Sequence, residues 1–450
     1  PSGQVEAGGV PPGRGTRAGA PHHGALAPAP AKTASVTPRT PRGRVGSIQD
    51  LQSPPRRSDC SFINEPMRAD MTNTTIRPFR LDVSQERVDD LRIRLRATRW
   101  PQPVTQDFSH GQALPLMQQL AAYWADGFDW RAQEAKLNRY PQFTTEIDGQ
   151  PIHFIHVRSK EAGAFPLILT HGWPSSPTEY LDLIGPLTDP RAHGAQTSLA
   201  FDVVIPSLPG MGLSSPLSAE GWDAERTAAA WDTLMKRLGY ARYGAQGSDA
   251  GAMVVRELGI LAPKGLAGVH MQQIYAFPTG APDEMHGLST FEQEGFANLG
   301  YFQKYAGYAD IQSKRPGTLA FGLCDSPAAL LAWNAELFYG FLGENAGVVD
   351  RDRFLTHVSL YWFTGTGGQA AEFYFANAAS GAGYRELHSD TPTAVAVFPK
   401  DFRSVRKFAA RSHSRLVQWT EMPRGGHFAN ETDSQLVVND LRRFFGIQTM

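Results

Sequence analysis

The feature that most limits the fold is an alternation of short apolar runs with helical runs beyond residue 165. Leu167 to Thr170, Asp202 to Ile205 and Arg242 to Ala245 read as strands, and Ala394 to Phe398 and Leu416 to Thr420 resume the pattern late in the chain. Ser434 to Phe445 closes the series as a helix. Strands separated by helices imply parallel βαβ units, because a parallel neighbour needs a crossover that returns the chain to the same end of the sheet. The expected class is therefore α/β, with a mostly parallel, doubly wound sheet. Between about Phe277 and Asp390 the rhythm lapses into a stretch rich in Tyr, Phe, Trp and Gly, expected as a helical cap over an active-site mouth.

Upstream, Ser84 is placed to N-cap a helix that carries Val88, Leu91 and Leu95 on one face. Trp100-Pro101 is expected to end it, since proline disfavours helical geometry in the residue before it. Helical runs follow over Leu114 to Trp124 and Arg131 to Asn138. Phe143 to Ile147 and Ile152 to Val157 then alternate as strands about Asp148-Gly149, a hairpin signal. The expected layout is a tail over 1–70, an N-terminal helical extension over 71–142, a core over 143–276 and 391–450, and the cap over 277–390. Pro1 to Arg57 holds ten prolines, nine glycines and no aromatic residue, with eight Lys/Arg against two acids. Such a segment buries too little apolar surface to offset its ordering entropy, so it is expected to be disordered, with a natural start at Met67 or Met71.

Composition excludes several classes of function. Hydrophobic residues at 41% supply a sizeable core, and a net charge of −1 gives no electrostatic case for nucleic acid or an anionic membrane. Two cysteines, Cys60 and Cys324, build neither a disulfide framework nor a thiolate zinc site, and they suit a reducing, cytoplasmic setting. No apolar run approaches the roughly 20 residues that span a bilayer. The expected partners are a small-molecule substrate and water, without membrane, metal or organic cofactor; a homodimer is left open.

The most informative residues are Gly247-Ser248-Asp249-Ala250-Gly251, between a strand and a helix. A strand-to-helix turn this sharp needs small residues two before and two after its centre, where backbones nearly touch. Centred on Asp249, both flanks are glycine; centred on Ser248, they would be Gln246 and Ala250, and the glutamine would clash. Asp249 is thus the residue presented at the top of the sheet. A glycine-rich turn with an N-capping aspartate is the plainer alternative, and the turn alone does not exclude it.

His171-Gly172-Trp173-Pro174 follows the strand Leu167 to Thr170. In α/β-hydrolases a loop here gives one amide of an oxyanion hole and the residue after the nucleophile gives the other, here Trp173 and Ala250. Gly425-Gly426-His427-Phe428 follows the last strand, and glycines beside it let the imidazole of His427 reach across the strand ends. The acid should follow the preceding strand, where Asp401 is the first carboxylate; Glu421 is the alternative, on the histidine's own strand. His153, His156, His357 and His413 are read as structural.

Taken together, these stretches resemble the epoxide hydrolases of the microsomal type within the α/β-hydrolase superfamily. The resemblance runs from about Ile76 to Phe445 and includes Arg77-Pro78-Phe79, Arg99-Trp100-Pro101, Tyr140-Pro141-Gln142-Phe143 and Pro206 to Gly210. It is nearest to soluble actinobacterial members, and the anchor helix of membrane-bound members is not seen here. By motif the resemblance implies two cap tyrosines, Tyr308 before Ile311-Gln312 and Tyr374 in Glu372-Phe373-Tyr374; without it either would pass as a core aromatic.

The activity it implies is conversion of a bulky apolar or aromatic epoxide to a vicinal diol. Asp249 is expected to form a covalent ester while Tyr308 and Tyr374 protonate the ring oxygen. His427, held by Asp401, then activates water for hydrolysis, with Trp173 and Ala250 holding the oxyanion. A serine nucleophile would instead leave an ether that water does not readily cleave. The competing readings are a haloalkane dehalogenase-like hydrolase and a non-catalytic small-molecule receptor on the same fold.

Overall fold

The apolar runs form the middle of a sheet whose flanks come from the N-terminal hairpin and the last strands. The structure, a computed structural model, describes residues 74–449 except Ser198; the tail expected over 1–70 lies outside the described residues. β1 (Arg77–Phe79) precedes helices α1 (Gln85–Arg96), α2 (Leu114–Asp126) and α3 (Trp130–Leu137). β2 (Gln142–Ile147) and β3 (Gln150–Val157) follow as a hairpin. The crossover series is β4 (Phe165–Thr170), α4 (Leu181–Thr188), β5 (Phe201–Pro206), α5 (Ala224–Arg237), β6 (Tyr243–Gly247), α6 (Ala250–Leu261) and β7 (Leu266–Met271).

The cap comprises α7 (Thr290–Tyr305), α8 (Gly307–Lys314), α9 (Pro316–Asp325), α10 (Pro327–Phe338), α11 (Arg351–Thr364) and α12 (Glu372–Ser380). The core resumes with β8 (Thr393–Val397), α13 (Arg406–Ala409), β9 (Leu416–Glu421), α14 (Ala429–Thr432) and α15 (Ser434–Thr449). Among the described residues the strand order is β1-β2-β3-β5-β4-β6-β7-β8-β9. Pairing is antiparallel from β1 to β5 and parallel from there to β9. This is the α/β-hydrolase fold, with its helical cap and N-terminal helical extension.

Local sequence accounts for the elements. Leu167, Ile168 and Leu169 of β4 and Val203, Val204 and Ile205 of β5 are fully buried, as continuous apolar runs in a sheet covered on both faces should be. Asp148 and Gly149 turn the hairpin with φ of 52° and 73°, the positive angles that a two-residue turn between twisted strands requires. Val88, Leu91 and Leu95 form the buried face of α1. That helix stops at Arg96, before the expected Trp100-Pro101 boundary. Ala97 N–H already bonds back to Ile93 and Leu95, and the Thr98 hydroxyl occupies the Arg94 carbonyl at 3.3 Å.

The extension grips the cap. Trp124 of α2 donates its indole N–H to Ser359 of α11 at 2.9 Å, and the Tyr123 hydroxyl donates to Asp352 at 2.8 Å. No helix among the described residues is long and apolar enough to cross a membrane. Beyond the carboxyl ends of β4, β6, β7 and β8 and after β9 lie Trp173, Asp249, Gln273, Asp401 and His427 in turn. This is the rim where open α/β sheets bind ligands.

Candidate active site

Asp249 caps the end of β6 with φ 53° and ψ −122°, a conformation that non-glycine residues rarely hold and that costs on the order of 1–3 kcal/mol. The flanking glycines make it attainable. A Cβ on Gly247 would stand 2.2 Å from the Gly251 carbonyl oxygen, and one on Gly251 would stand 1.9 Å from that of Thr170. Ser248 points the other way: it is buried and donates to Glu179 Oε1 at 2.8 Å. The turn therefore exposes the aspartate and hides the serine.

The Asp249 carboxylate is divided between two sets of neighbours. The Trp173 amide donates to Oδ1 at 2.9 Å, and the Ala250 amide also donates to the carboxylate. Oδ2 lies 3.6 Å from His427 Nε2. His427 Nδ1 meets Asp401 Oδ1 at 2.9 Å, so the acid after β8 orients the ring; Glu421, the alternative, is exposed at the end of β9. A bond of 3.1 Å from Lys400 N–H to the Gly425 carbonyl joins the loops of Asp401 and His427. Side-chain exposures of 13% for Asp249 and 24% for His427 leave both reachable by a small molecule.

Burial raises the Asp249 pKa above its usual 3.8, against the pull of His427 and the two amides. For His427, burial pulls the value down, but Asp401 and then Asp249 and Glu179 outweigh it, and the imidazole is pushed up to about 9. Asp401 is held below the usual carboxylate value; burial opposes this, but the charge and hydrogen bond of His427 and a bond from Gln273 prevail. His427, with Asp401 on one side and Asp249 on the other, therefore holds its proton more tightly than an ordinary imidazole.

The two cap tyrosines meet over Trp173. Tyr308 of α8 stacks on its indole with ring centroids 5.2 Å apart, and Tyr374 of α12 stands edge-on to it at 5.8 Å. Tyr374 also hydrogen-bonds Tyr308. Burial, and then the charge of Asp249, keep the Tyr308 phenol well above its usual pKa. Burial, Tyr308 and Asp249 do the same for Tyr374. Both are thus protonated donors at neutral pH. All seven residues singled out from the sequence converge on one place.

Sequence reasoning missed Gln273. Its side-chain carbonyl accepts the Asp249 backbone N–H at 2.8 Å, and its amide donates to Asp401 Oδ2, so it braces the Asp249 turn and Asp401 together. Its one legible signal is its place just past the carboxyl end of β7. Glu179 was missed as well. His171 proves to be scaffolding: Nδ1 meets the Gly172 carbonyl at 2.7 Å and Nε2 accepts Leu208 N–H at 3.1 Å, while burial lowers its pKa to about 4. His153 is likewise buried between Ser207 and Gln142.

Comparison with known proteins gives the chain its relatives. The sequence profile described as "Epoxide hydrolase N terminus" matches residues 76–180, and that of the alpha/beta hydrolase family matches residues 167–440. A Stigmatella aurantiaca protein provisionally named an epoxide hydrolase is 43% identical over 376 residues, covering 82% of this chain and 84% of its own. Epoxide hydrolase 1 of Sus scrofa is 32% identical over 404 residues, covering 83% and 89%. The structure of Aspergillus niger epoxide hydrolase superposes with a TM-score of 0.72 at 31% identity, covering 84% of this chain and 97% of that one. The chain belongs to the α/β-hydrolase family and, within it, to the epoxide hydrolases that carry this N-terminal region.

Proposed function

We propose that the chain hydrolyses epoxides to vicinal diols through a covalent ester on Asp249. The observation that carries this reading is the division of one carboxylate: Oδ1 accepts the Trp173 amide at 2.9 Å while Oδ2 faces His427 at 3.6 Å. An oxygen of Asp249 attacks a ring carbon as the ring C–O bond breaks. The departing oxygen takes a proton from the paired phenols of Tyr308 and Tyr374, which solvent then restores.

Esterification removes the Asp249 charge, one of those that hold the His427 pKa near 9. The imidazole then releases its proton more readily and becomes a base in the step that needs one. It takes a proton from water, whose oxygen adds to the ester carbonyl. The Trp173 and Ala250 amides receive the oxyanion, and each such donor is typically worth about 2.7–4 kcal/mol of barrier. Collapse frees the diol, which takes the proton back from His427, and regenerates Asp249. Asp401 fixes the ring orientation and stabilises the imidazolium.

The aromatic cluster of Trp173 with Tyr308, Tyr374, Phe302 and Phe341 supports a bulky apolar or aromatic epoxide as the substrate. The paired phenols favour alkoxide release over halide release from the same ester. On its two cysteines, of which Cys324 is free and exposed, we read the setting as cytoplasmic. The test is a single turnover in oxygen-18 water. The first diol should carry unlabelled oxygen from Asp249 and leave label in the Asp249 peptide. Immediate label in the diol, with none in that peptide, overturns the ester route.

A further inference from the structure

Glu179 is a carboxylate with only 2% of its surface exposed, and among the described residues no cationic side chain bonds it; its partners are hydroxyls and an amide. Burying such a group is costly unless every lone pair is used. Ser248 donates to Oε1 at 2.8 Å, Asn430 Nδ2 donates to the same oxygen, and the Ser175 hydroxyl donates to Oε2. The orientation of Asn430 is fixed from its other end, where its carbonyl accepts the Gln272 amide at 2.6 Å. Asn430 also donates to Ser248 Oγ at 3.1 Å, which closes the network into a ring.

The three donors belong to three catalytic loops. Ser175 is two residues past Trp173, Ser248 immediately precedes Asp249, and Asn430 is three residues past His427. Resting on the reading above, we propose that Glu179 is a positioning residue. Its carboxylate ties the oxyanion loop, the nucleophile turn and the base loop into one unit and sets His427 against Asp249. The negative charge lies behind the site and not in it, so it acts on His427 through the field and through the ring of donors.

The titratable groups facing this pair come from every side. Asp249 lies on the turn after β6, Asp401 beyond β8, and Glu431 on α14 with its partner His357 of α11 at 2.7 Å. Tyr180 adjoins Glu179 itself, and its hydroxyl donates to the Thr170 carbonyl at 2.8 Å. Burial raises the Glu179 pKa, as does the charge of Glu431, while its donors pull it down. Glu179 in turn is one of the carboxylates that raise the His427 pKa.

Two substitutions separate charge from geometry. Glu179→Gln keeps the shape: its oxygen can accept from Ser248 and Asn430, and its amide can donate to Ser175. That hydroxyl then turns to the Gly172 carbonyl, which it already approaches at 3.1 Å. This variant should fold and lower the His427 titration midpoint, read by imidazole NMR. The shift should be smaller than the roughly 1–3 units produced by a carboxylate within about 4–6 Å. The acid limb of ester hydrolysis should move to lower pH with it. Glu179→Leu removes the one acceptor that Ser175, Ser248 and Asn430 share. It should slow ester hydrolysis by about 10²-fold, the scale of a 1 Å misplacement, with kcat/KM, which binding and alkylation set, little changed.

An unmoved His427 midpoint in Glu179→Gln, with a wild-type pH profile, overturns the proposal. So does wild-type hydrolysis in a folded Glu179→Leu. A shifted midpoint in an enzyme whose wild type forms no ester supports the coupling to His427 and sinks the epoxide reading instead.

Discussion

His427 Nε2 stands 3.6 Å from Asp249 Oδ2, too far for a hydrogen bond yet close enough for the two charges to set each other's protonation. Replacing Asp249 by Asn removes one carboxylate from the imidazole's surroundings, as ester formation does. The His427 midpoint should fall below about 9 in Asp249→Asn, measured by imidazole NMR, and turnover should be lost with the fold retained. An unchanged midpoint would show that the pair is not coupled.

The same shift carries a stability signature. The folded His427 value, about 9, exceeds its ordinary 6.5, so the folded protein holds an extra proton between them. Its contribution is complete below about 6.5 and is lost as pH rises through about 9. In denaturant melts, the stability of wild type relative to His427→Gln should therefore decline across that interval. A difference that stays flat with pH would contradict the raised value.

Asp401→Asn removes the carboxylate in direct contact with His427 Nδ1. The imidazole midpoint should fall, and hydrolysis should slow by on the order of 10⁴-fold as the ring loses its orienting acceptor. Ester formation should persist, so mass spectrometry of the Asp249 peptide should find the alkylated form accumulating. Equal slowing of both steps would assign Asp401 some other part.

Tyr308→Phe and Tyr374→Phe should each slow alkylation by about 10²-fold, and the double change by more, within the range of general acid catalysis. The hydrolysis step should be nearly unaffected. Rapid-quench measurement of the two steps checks this; a loss confined to hydrolysis would place the phenols wrongly.

Gly251→Ala puts a methyl 1.9 Å from the Thr170 carbonyl oxygen, and main chain on both sides has little room to give. We expect destabilisation of about 3 kcal/mol or more, beyond typical overpacking, and loss of activity. Thermal melts decide it, and a wild-type melting temperature would mean the turn is looser than described.

How far the sequence could be read depended on whether a residue's role was local. Asp249 was legible because steric demands fall on its near neighbours, Gly247 and Gly251. Asp401 was legible from strand order, since its partner follows the next strand. Tyr308 and Tyr374 came from resemblance alone; neither spacing nor hydropathy separates them from Tyr361, which is buried and donates to the Ser175 carbonyl at 2.8 Å. Gln273 and Glu179 act across sheet and loops on residues far away in the chain, and nothing beside them announces it. His357, left as structural, does fasten the cap helix α11 to the core through Ser176 at 2.8 Å and Glu431. The end of α1 was misplaced because a hydroxyl and backbone bonds close the helix before its proline is reached.

Trp173 belongs to the core by its main chain and to the cap by its ring. Its amide grips the Asp249 carboxylate while its indole is the floor on which Tyr308 rests. Lifting α8 would peel the Tyr308 phenol from that floor, leaving the Asp249 carboxylate and the His427 imidazole where they are. On the proposed mechanism, ring opening would then require α8 to be seated, whereas ester cleavage would draw on Asp249, His427, Asp401 and the two amides alone.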